Sequence, residues 1–194
     1  MAPKNKFSKE QIIDIAFNIG ETEGIENITV RKVAEILGSS VAPIYVNFKD
    51  GKELLQAVID KTRAIAISMT KEEYTDMPFL NMGIGTLRFA REYSVLFKDM
   101  VIKNIDCVED DRDSKVQMLE QMKRDKTLQG FTDEELQQIL FKMSVFTHGL
   151  SIMVANNLFS QNYNEKELFE LLEDTGKDII MATRLKKEGG NICI

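Results

Sequence analysis

Apolar residues recur at intervals of three and four along most of the chain, with polar residues between them, and this pattern predicts a succession of amphipathic helices. The predicted helices cover approximately residues 8–24, 29–37, 41–48, 50–69, 79–93, 94–104, 115–127, 133–159 and 164–187. Several begin with an N-cap residue followed three positions later by Glu or Gln, the pattern of a capping box. Few Gly and Pro residues, no Trp and weak β-propensity agree with this pattern, so the chain is predicted to be all-α.

Two short helices joined by a tight turn are predicted between residues 29 and 48. Thr29 is suited to cap the first, because its hydroxyl can accept an amide hydrogen from the following turn. Gly38 ends that helix, since glycine adopts the left-handed conformation at little cost. Ser40 is predicted to cap the second helix, with Pro43 in its first turn. Ala34 is small enough for the two helices to cross closely, which completes the spacing of a helix-turn-helix.

The outer face of the second helix is small and uncharged, unlike most solvated helix faces, which carry Lys and Glu. This face is predicted to comprise Ser39, Ser40, Val41, Ala42, Pro43 and Asn47, while Ile44, Tyr45 and Phe48 are predicted to face inward. Such a face is suited to enter a DNA groove and contact base edges. An ordinary helical hairpin in a core is the alternative interpretation.

The run from Thr29 to Leu55, which ends in YVNFKDGKELL, resembles the N-terminal domain of the TetR family of transcriptional regulators. The positions that match the family pattern are Thr29, Val30, Arg31, Ala34, Gly38, Ser40, Tyr45, Phe48 and Leu54. In two places the sequence departs from it: Gly51 stands where Lys is usual, with Lys52 one position later, and Ala42–Pro43 replaces the more common Gly and polar residue. The motif covers about the first third of the chain, and the remainder is similar only in helical layout.

The resemblance implies a homodimer that binds palindromic operator DNA, represses transcription and is released by a small effector. It implies a helix-turn-helix domain at 1–50 and a helical effector-binding and dimerisation domain at 51–194. The expected DNA-binding residues are Thr29, Arg31, Ser39, Ser40, Val41, Ala42, Pro43, Tyr45, Asn47, Lys49 and Lys52. The last two helices are apolar over more than one face, which favours a four-helix bundle formed by two subunits.

Charge complicates the DNA-binding interpretation. The 194 residues carry a net charge of −6, and residues 1–55 hold seven Lys and Arg against eight Asp and Glu. Binding to DNA would therefore require the cations to share one face. The cations concerned are Lys4, Lys6, Lys9, Arg31, Lys32, Lys49 and Lys52. The polar arm at 1–7 is interpreted either as a frayed end or as an arm that touches DNA.

Other classes of function find little support in the sequence. No apolar run reaches transmembrane length and no signal peptide is recognised, so a cytoplasmic protein without a membrane partner is predicted. Cys107 and Cys193 lack metal or redox spacing. The acidic segment 105–113 is interpreted as a loop, because a metal site there would lack the glycine and alternation of a calcium loop. Without a phosphate loop or nucleophile motif, neither a cofactor nor catalysis is predicted.

Ten methionines and several aromatic residues indicate an adaptable interior, and a cavity among the C-terminal helices would suit a small, largely apolar effector. The candidate lining residues are Phe79, Met82, Phe89, Tyr93, Phe97, Met100, Met118, Met122, Met143, Phe146, Thr147, His148, Met153 and Asn156. Ordinary core packing is the alternative for most of them. Two other functions stay open: a helical small-molecule carrier that does not bind DNA, and an enzyme that uses His148, the one histidine in the chain.

Overall fold

A computed structural model describes residues 7–103, 112–159 and 164–189. These residues form α-helices and helical turns and contain no strand, so the predicted all-α fold class is confirmed. They make up two compact units, which lie within Met1–Ile67 with Tyr93–Cys107 and within Ser68–Glu92 with Val108–Ile194. The unit that contains the helix-turn-helix thus continues past residue 50, and the functional boundary expected there stays a prediction.

The α-helices are, in chain order, α1 (Lys9–Glu23), α2 (Val30–Ile36), α3 (Ala42–Asn47), α4 (Gly51–Thr70), α5 (Pro78–Glu92), α6 (Ser94–Phe97), α7 (Arg112–Lys123), α8 (Asp133–Ala155) and α9 (Glu165–Lys187). Short 3₁₀ turns lie at Ile25–Asn27 and Lys126–Leu128, and a π-helical turn spans Lys98–Ile102. The first unit holds α1 to α3, most of α4, and α6 with the π-helical turn. The second holds α5 and α7 to α9.

Helix starts follow the predicted caps closely. Capping boxes form at Ser8 with Gln11, Thr132 with Glu135 and Asn164 with Glu167. At α4, the Oδ1 atom of Asp50 accepts the amide hydrogens of Lys52 and Glu53, both at 2.9 Å. Each cap supplies an acceptor to amide groups that the first helical turn leaves without a partner.

Two helix ends were predicted too far along the chain. Helix α8 ends at Ala155 instead of near residue 159, because Asn157 adopts a left-handed conformation with φ of 52° and the helix cannot continue through it. Helix α7 ends at Lys123 instead of Thr127. Asp125 starts a separate 3₁₀ turn there, and its Oδ1 accepts the amide hydrogen of Thr127 at 2.9 Å.

A buried carboxylate connects two distant stretches of the first unit. Asp99, in the π-helical turn, is only 2% exposed, and its Oδ2 accepts the amide hydrogen of Ile25 at 2.6 Å. Its Oδ1 lies 2.8 Å from the Nζ of Lys103, and this hydrogen bond raises the pKa of Lys103. Gly24 has a φ of 98°, and a Cβ at that position would lie 3.0 Å from Asp99 Oδ2. The turn between α1 and α2 is therefore held by a residue far away in sequence.

Helix α5 packs closely on its neighbours through two glycines. A Cβ at Gly83 would lie 2.6 Å from the Cδ2 of Leu172 in α9, and a Cβ at Gly85 would overlap the carbonyl group of Met69. Around them lies a core of residues from α5, α7, α8 and α9 that includes Ile84, Leu136 and Ile139.

Gly85→Ala is expected to lower the free energy of unfolding by about 2 kcal/mol, because the added methyl group meets backbone rather than a side chain that can move aside. Gly176→Ala is the matched control. Its Cβ would meet only the end of the Met143 side chain, at 3.8 Å, so the helix-forming preference of alanine should keep it at or above wild-type stability. Urea denaturation monitored by circular dichroism measures both. Equal stabilities of the two variants would contradict the close packing.

Within the described residues, α8 alone is long and apolar enough to cross a membrane by length and composition. The sequence pattern predicted no apolar run of transmembrane length, so a helix that meets this criterion was not expected. Leu136, Ile139 and Leu150 of α8 are buried in the core of the second unit. A helix at the centre of a bundle meets the same criterion, so the observation is weak evidence for a membrane.

Candidate functional site

The helix-turn-helix is formed by α2 and α3. The Oγ1 of Thr29 accepts the amide hydrogen of Lys32 at 3.2 Å and so caps α2 as predicted. Gly38 takes a positive φ of 62° in the turn, also as predicted. Ala34 and Ile44 are buried together in the core of the first unit. The local rules that predicted α2 and the turn after it therefore describe their geometry correctly.

The start of α3 differs from the prediction. Ser40 does not cap it: Val41 occupies the N-cap position, already has helical angles and makes no side-chain cap. The hydroxyl of Ser39 instead donates to the carbonyl oxygen of Ser40 at 2.9 Å. Pro43 does lie in the first turn, where its missing amide hydrogen leaves no broken helical bond.

Tyr45 faces solvent and not the core, which corrects the inward orientation predicted for it. Its side chain is 53% exposed, because Ile44 and Phe48 already occupy the buried face of α3. Val46 is 65% exposed beside it and was missed as a surface residue. The Nδ2 of Asn47 donates to the carbonyl oxygen of Pro43 at 2.9 Å, so the Asn47 amide is tied to its own helix.

Ser40, Val41 and Ala42 are exposed, while Ser39 and Pro43 are half-buried. Together with Tyr45 and Val46, these residues give α3 an outer surface without a charged side chain. The surface is suited to van der Waals contact with base edges and thymine methyl groups, and the Tyr45 hydroxyl is suited to bind a phosphate oxygen.

The cations around the motif divide into paired and unpaired groups. Lys9 pairs with Glu53 at 3.5 Å, and Lys32 pairs with Glu23. Within the described part of the chain, the side chains of Arg31, Lys49 and Lys52 are exposed and form no ion pair. Lys4 and Lys6, together with the rest of the predicted arm except Phe7, lie outside the described residues. Three cations thus remain available despite the acidic balance of the region.

A cavity of about 470 Å³ lies in the second unit, with walls from α5, α7, α8 and α9. Six of the predicted lining residues border it: Phe79, Met82, Met118, Met143, Thr147 and His148. Phe89, Met122 and Phe146 pack in the same unit without bordering the cavity, and Met153 and Asn156 are exposed. Tyr93, Phe97 and Met100 belong to the first unit and do not border the cavity.

Helix α9 contributes a wall that the sequence analysis missed. Leu172, Gly176, Ile180 and Arg184 follow one another at intervals of four and all border the cavity. This spacing places them on one face of the helix, and it is the signal that could have identified them. The predicted lining residues were aromatic residues, methionines and a few polar residues, and none of them lies on α9.

No cluster of three or more His, Cys, Asp or Glu suited to a metal ion occurs among the residues that the structure describes. The acidic segment that contains Asp106, Glu109, Asp110 and Asp111 lies outside them, as do Cys107 and Cys193. His148 is exposed at the edge of the cavity, and its Nδ1 lies 2.7 Å from the carbonyl oxygen of Ser144. Within the described residues, no hydrogen bond joins the His148 ring to the side chain of a nucleophilic residue.

No model of a known protein family matches the chain. Among curated proteins, it is similar to HTH-type transcriptional regulators of Staphylococcus aureus strains USA300, NCTC 8325 and COL. Each is 27% identical over 104 residues, which are 54% of this chain and 55% of the relative. The chain therefore spans about half the length of the curated relatives it matches. These relatives are named as regulators and not as enzymes, in agreement with the prediction that the chain is not an enzyme.

Solved structures are similar over nearly the whole chain. They include TetR from Acinetobacter baumannii AYE, which is 16% identical with a TM-score of 0.58 over 92% of this chain and 97% of that one. A TetR-like regulator from Rhodococcus sp. RHA1 is 17% identical, with a TM-score of 0.57 over 91% and 97%. A TetR from Streptomyces coelicolor is 15% identical, with a TM-score of 0.58 over 94% and 97%.

Fold and site together define an all-helical protein with an exposed helix-turn-helix. The fold is that of the TetR regulators, and the resemblance expected from residues 29–55 is confirmed.

Proposed function

We propose that this chain is a cytoplasmic, homodimeric transcriptional regulator that binds operator DNA and acts as a repressor, released by a small, largely apolar effector. The observation that carries the proposal is the outer surface of α3, which is exposed, uncharged and anchored from behind by buried Ile44 and Phe48. A monomeric carrier would have no use for such a surface. The names of the curated relatives and the fold support the same class.

In this proposal, one set of residues in the helix-turn-helix binds the DNA phosphates and another set contacts the bases. Tyr45, Lys49 and Lys52, with Thr29, bind phosphates and fix the register of α3 in the major groove. Lys52 takes over the contact that Gly51 cannot make. The small residues of α3 then contact base edges. The side-chain Nδ2 of Asn47 is engaged by the Pro43 carbonyl oxygen, but its Oδ1 remains able to accept a hydrogen bond from adenine.

Selection of bound sequences from random double-stranded DNA tests the proposal. A palindrome is expected, with half-sites centred about one helical turn apart, because two subunits related by a two-fold axis read successive major grooves. Recovery of no sequence would favour the carrier, which should still bind small ligands. An enzyme that uses His148 would be indicated instead by turnover that His148→Ala abolishes.

Dimerisation is proposed to use α8 and α9. Large apolar side chains remain exposed at helical spacing on both: Phe141 and Val145 on α8, and Leu171, Met181 and Leu185 on α9. Exposed apolar surface of this extent is typical of an interaction site. Two copies packed through these helices form the four-helix arrangement expected from the sequence.

Phe141→Glu is expected to convert the dimer into a monomer at micromolar concentration. Phe141 is 71% exposed in the isolated chain, so the substitution should leave the helix folded but place a charge in the apolar interface. Lys142→Glu, at the neighbouring exposed position, controls for added negative charge and should remain dimeric. Sedimentation velocity measures both. A Phe141→Glu variant that stays dimeric would place the interface elsewhere.

The cavity is proposed as the effector site of the 51–194 domain. The Acinetobacter TetR was also solved, as a variant, in complex with minocycline, which supports a small-molecule role for a cavity in this fold. An effector that binds one arrangement of the two helix-turn-helix motifs more tightly than the other would shift the population away from DNA.

A further inference from the structure

Two hydroxyl groups of α8, one of them at the cavity, make no hydrogen bond within the described residues. Thr147 borders the cavity and is only 6% exposed, and its hydroxyl makes no hydrogen bond within the described residues. The Ser151 hydroxyl, one turn further along α8, is fully buried and likewise without a partner there. The Ser151 hydroxyl costs stability because it is buried and unbonded. Thr147 Oγ1 is not among the buried unbonded atoms, and it does not bond to the preceding helical turn as a helical threonine often does, so it is open to a ligand in the cavity.

The charged side chains at the same cavity are already engaged. Asp125 accepts the amide hydrogen of Phe79 at 3.0 Å and the Thr127 hydroxyl at 2.6 Å. Arg184 donates to the carbonyl oxygen of Thr127 at 2.7 Å and lies over the ring of Phe131, 4.8 Å from its centroid. A ligand ion would have to compete with these internal partners.

Lys177 and Glu173 form an ion pair with each other. Their Nζ and Oε1 atoms lie 2.6 Å apart, and this hydrogen bond raises the pKa of Lys177. With Asp125 and Arg184, they are the charged residues that border the cavity. No charge on this wall is therefore left to neutralise a bound ion, and burying an ion without such a partner is costly.

The unengaged polar groups lie on one face of α8. Ser144, Thr147 and His148 are spaced at i, i+3 and i+4 and all border the cavity. The Ser144 hydroxyl also makes no hydrogen bond within the described part of the chain. The Nδ1 of His148 is occupied by the Ser144 carbonyl oxygen, so in the neutral ring Nε2 is an acceptor. Together, these side chains are complementary to an uncharged ligand group that both donates and accepts hydrogen bonds.

Five methionines complete the cavity lining, at positions 77, 82, 118, 143 and 181. Their flexible thioether chains adapt to the shape of an apolar body without specifying it.

We infer that the cavity binds an uncharged ligand with a largely apolar body and one hydrogen-bonding group, such as a hydroxyl, which Thr147 binds. The inference specifies the chemical class of the effector, and it rests on the proposed function. It excludes fatty-acid-like anions and amphipathic cations as the preferred class, because the cavity offers neither an unpaired cation nor an unpaired anion.

Four probes of one shape test the inference: naphthalene, 2-naphthol, 2-naphthoate and 2-naphthylmethylammonium. Their affinities for the purified full chain are measured by fluorescence at neutral pH, without DNA. The expected order places 2-naphthol first, naphthalene second and both ions last. Preferential binding of either ion would overturn the inference, and so would the absence of binding by all four. Because no DNA is present, failure here is distinguishable from failure of the DNA-binding proposal.

Thr147→Val is the decisive variant, since it replaces the hydroxyl by a methyl group of similar size. Affinity for 2-naphthol should fall about fivefold, while affinity for naphthalene should stay unchanged. The melting temperature of the ligand-free protein should change little, because the Thr147 hydroxyl has no hydrogen bond to lose within the described residues. Equal losses for both probes, or a lower melting temperature, would overturn the assignment to Thr147.

Ser144→Ala, measured in the same way, is expected to have a smaller effect on the affinity for 2-naphthol and none on the affinity for naphthalene. A loss of 2-naphthol affinity as large as that of Thr147→Val would also overturn the assignment to Thr147.

Discussion

Asp99→Ala is expected to lower the free energy of unfolding of the first unit by about 3 kcal/mol. The substitution leaves the buried amide of Ile25 without its acceptor and removes one of the two carboxylates that pair with Lys103, the other being that of Glu26. It also removes the anchor of the turn that connects α1 to α2. Urea denaturation monitored by circular dichroism measures the loss.

Two matched variants separate the role of burial from the role of charge. Asp60→Ala removes a carboxylate from the same unit, but one that is exposed and paired with Arg63 at 3.2 Å, so its cost should stay below about 1 kcal/mol. Asp99→Asn keeps an oxygen for Ile25 and should fall between wild type and Asp99→Ala. If Asp99→Ala and Asp60→Ala were equally stable, Asp99 would not be the anchor described here.

Joint replacement of Tyr45 and Lys49 by Ala is expected to reduce operator affinity by about 10⁴-fold. Each lost phosphate contact costs about 1.5 kcal/mol, and a dimer loses each contact twice. Both side chains are exposed, so folding and dimerisation should be unaffected. Fluorescence anisotropy with labelled operator measures the affinity. Lys166→Ala, an exposed lysine of the second unit, is the control and should bind as wild type does.

If the double variant bound DNA as tightly as the wild type, the phosphate contacts proposed for Tyr45 and Lys49 would be wrong. That conclusion would hold even if the protein still recognised its operator. A loss of affinity accompanied by dissociation of the dimer would also contradict these roles. Sedimentation velocity on the same samples distinguishes a local effect from a loss of assembly.

The parts of the fold that could be predicted are those governed by contiguous sequence. The caps at Ser8, Thr132 and Asn164 and the left-handed Gly38 each follow from a few neighbouring residues, and all were located correctly. The helix-turn-helix belongs to the same class, because its spacing is local. Boundaries were less certain: the end of α8 depends on the conformation of Asn157, which composition does not determine.

The orientation of α3 was harder to predict because a six-residue helix has too few turns for its apolar period to define a face. Tyr45 and Ile44 are both apolar enough to be core residues, and only the packing in the core of the first unit decides between them. The buried acids were beyond local reasoning. Asp99 bonds to a residue 74 positions away and Asp125 to one 46 positions away, and nothing beside either distinguishes it from an exposed acid.

The dependence of operator affinity on salt tests the central claim most directly. The purified dimer should bind a selected palindrome far more tightly than scrambled DNA. The logarithm of its association constant should fall linearly with the logarithm of salt concentration, because phosphate contacts release counterions. Loss of Lys49 from both subunits should reduce that slope by about two. Binding that is independent of salt, or no preference for the palindrome at low salt, would contradict the assignment of α3 as a DNA-reading helix.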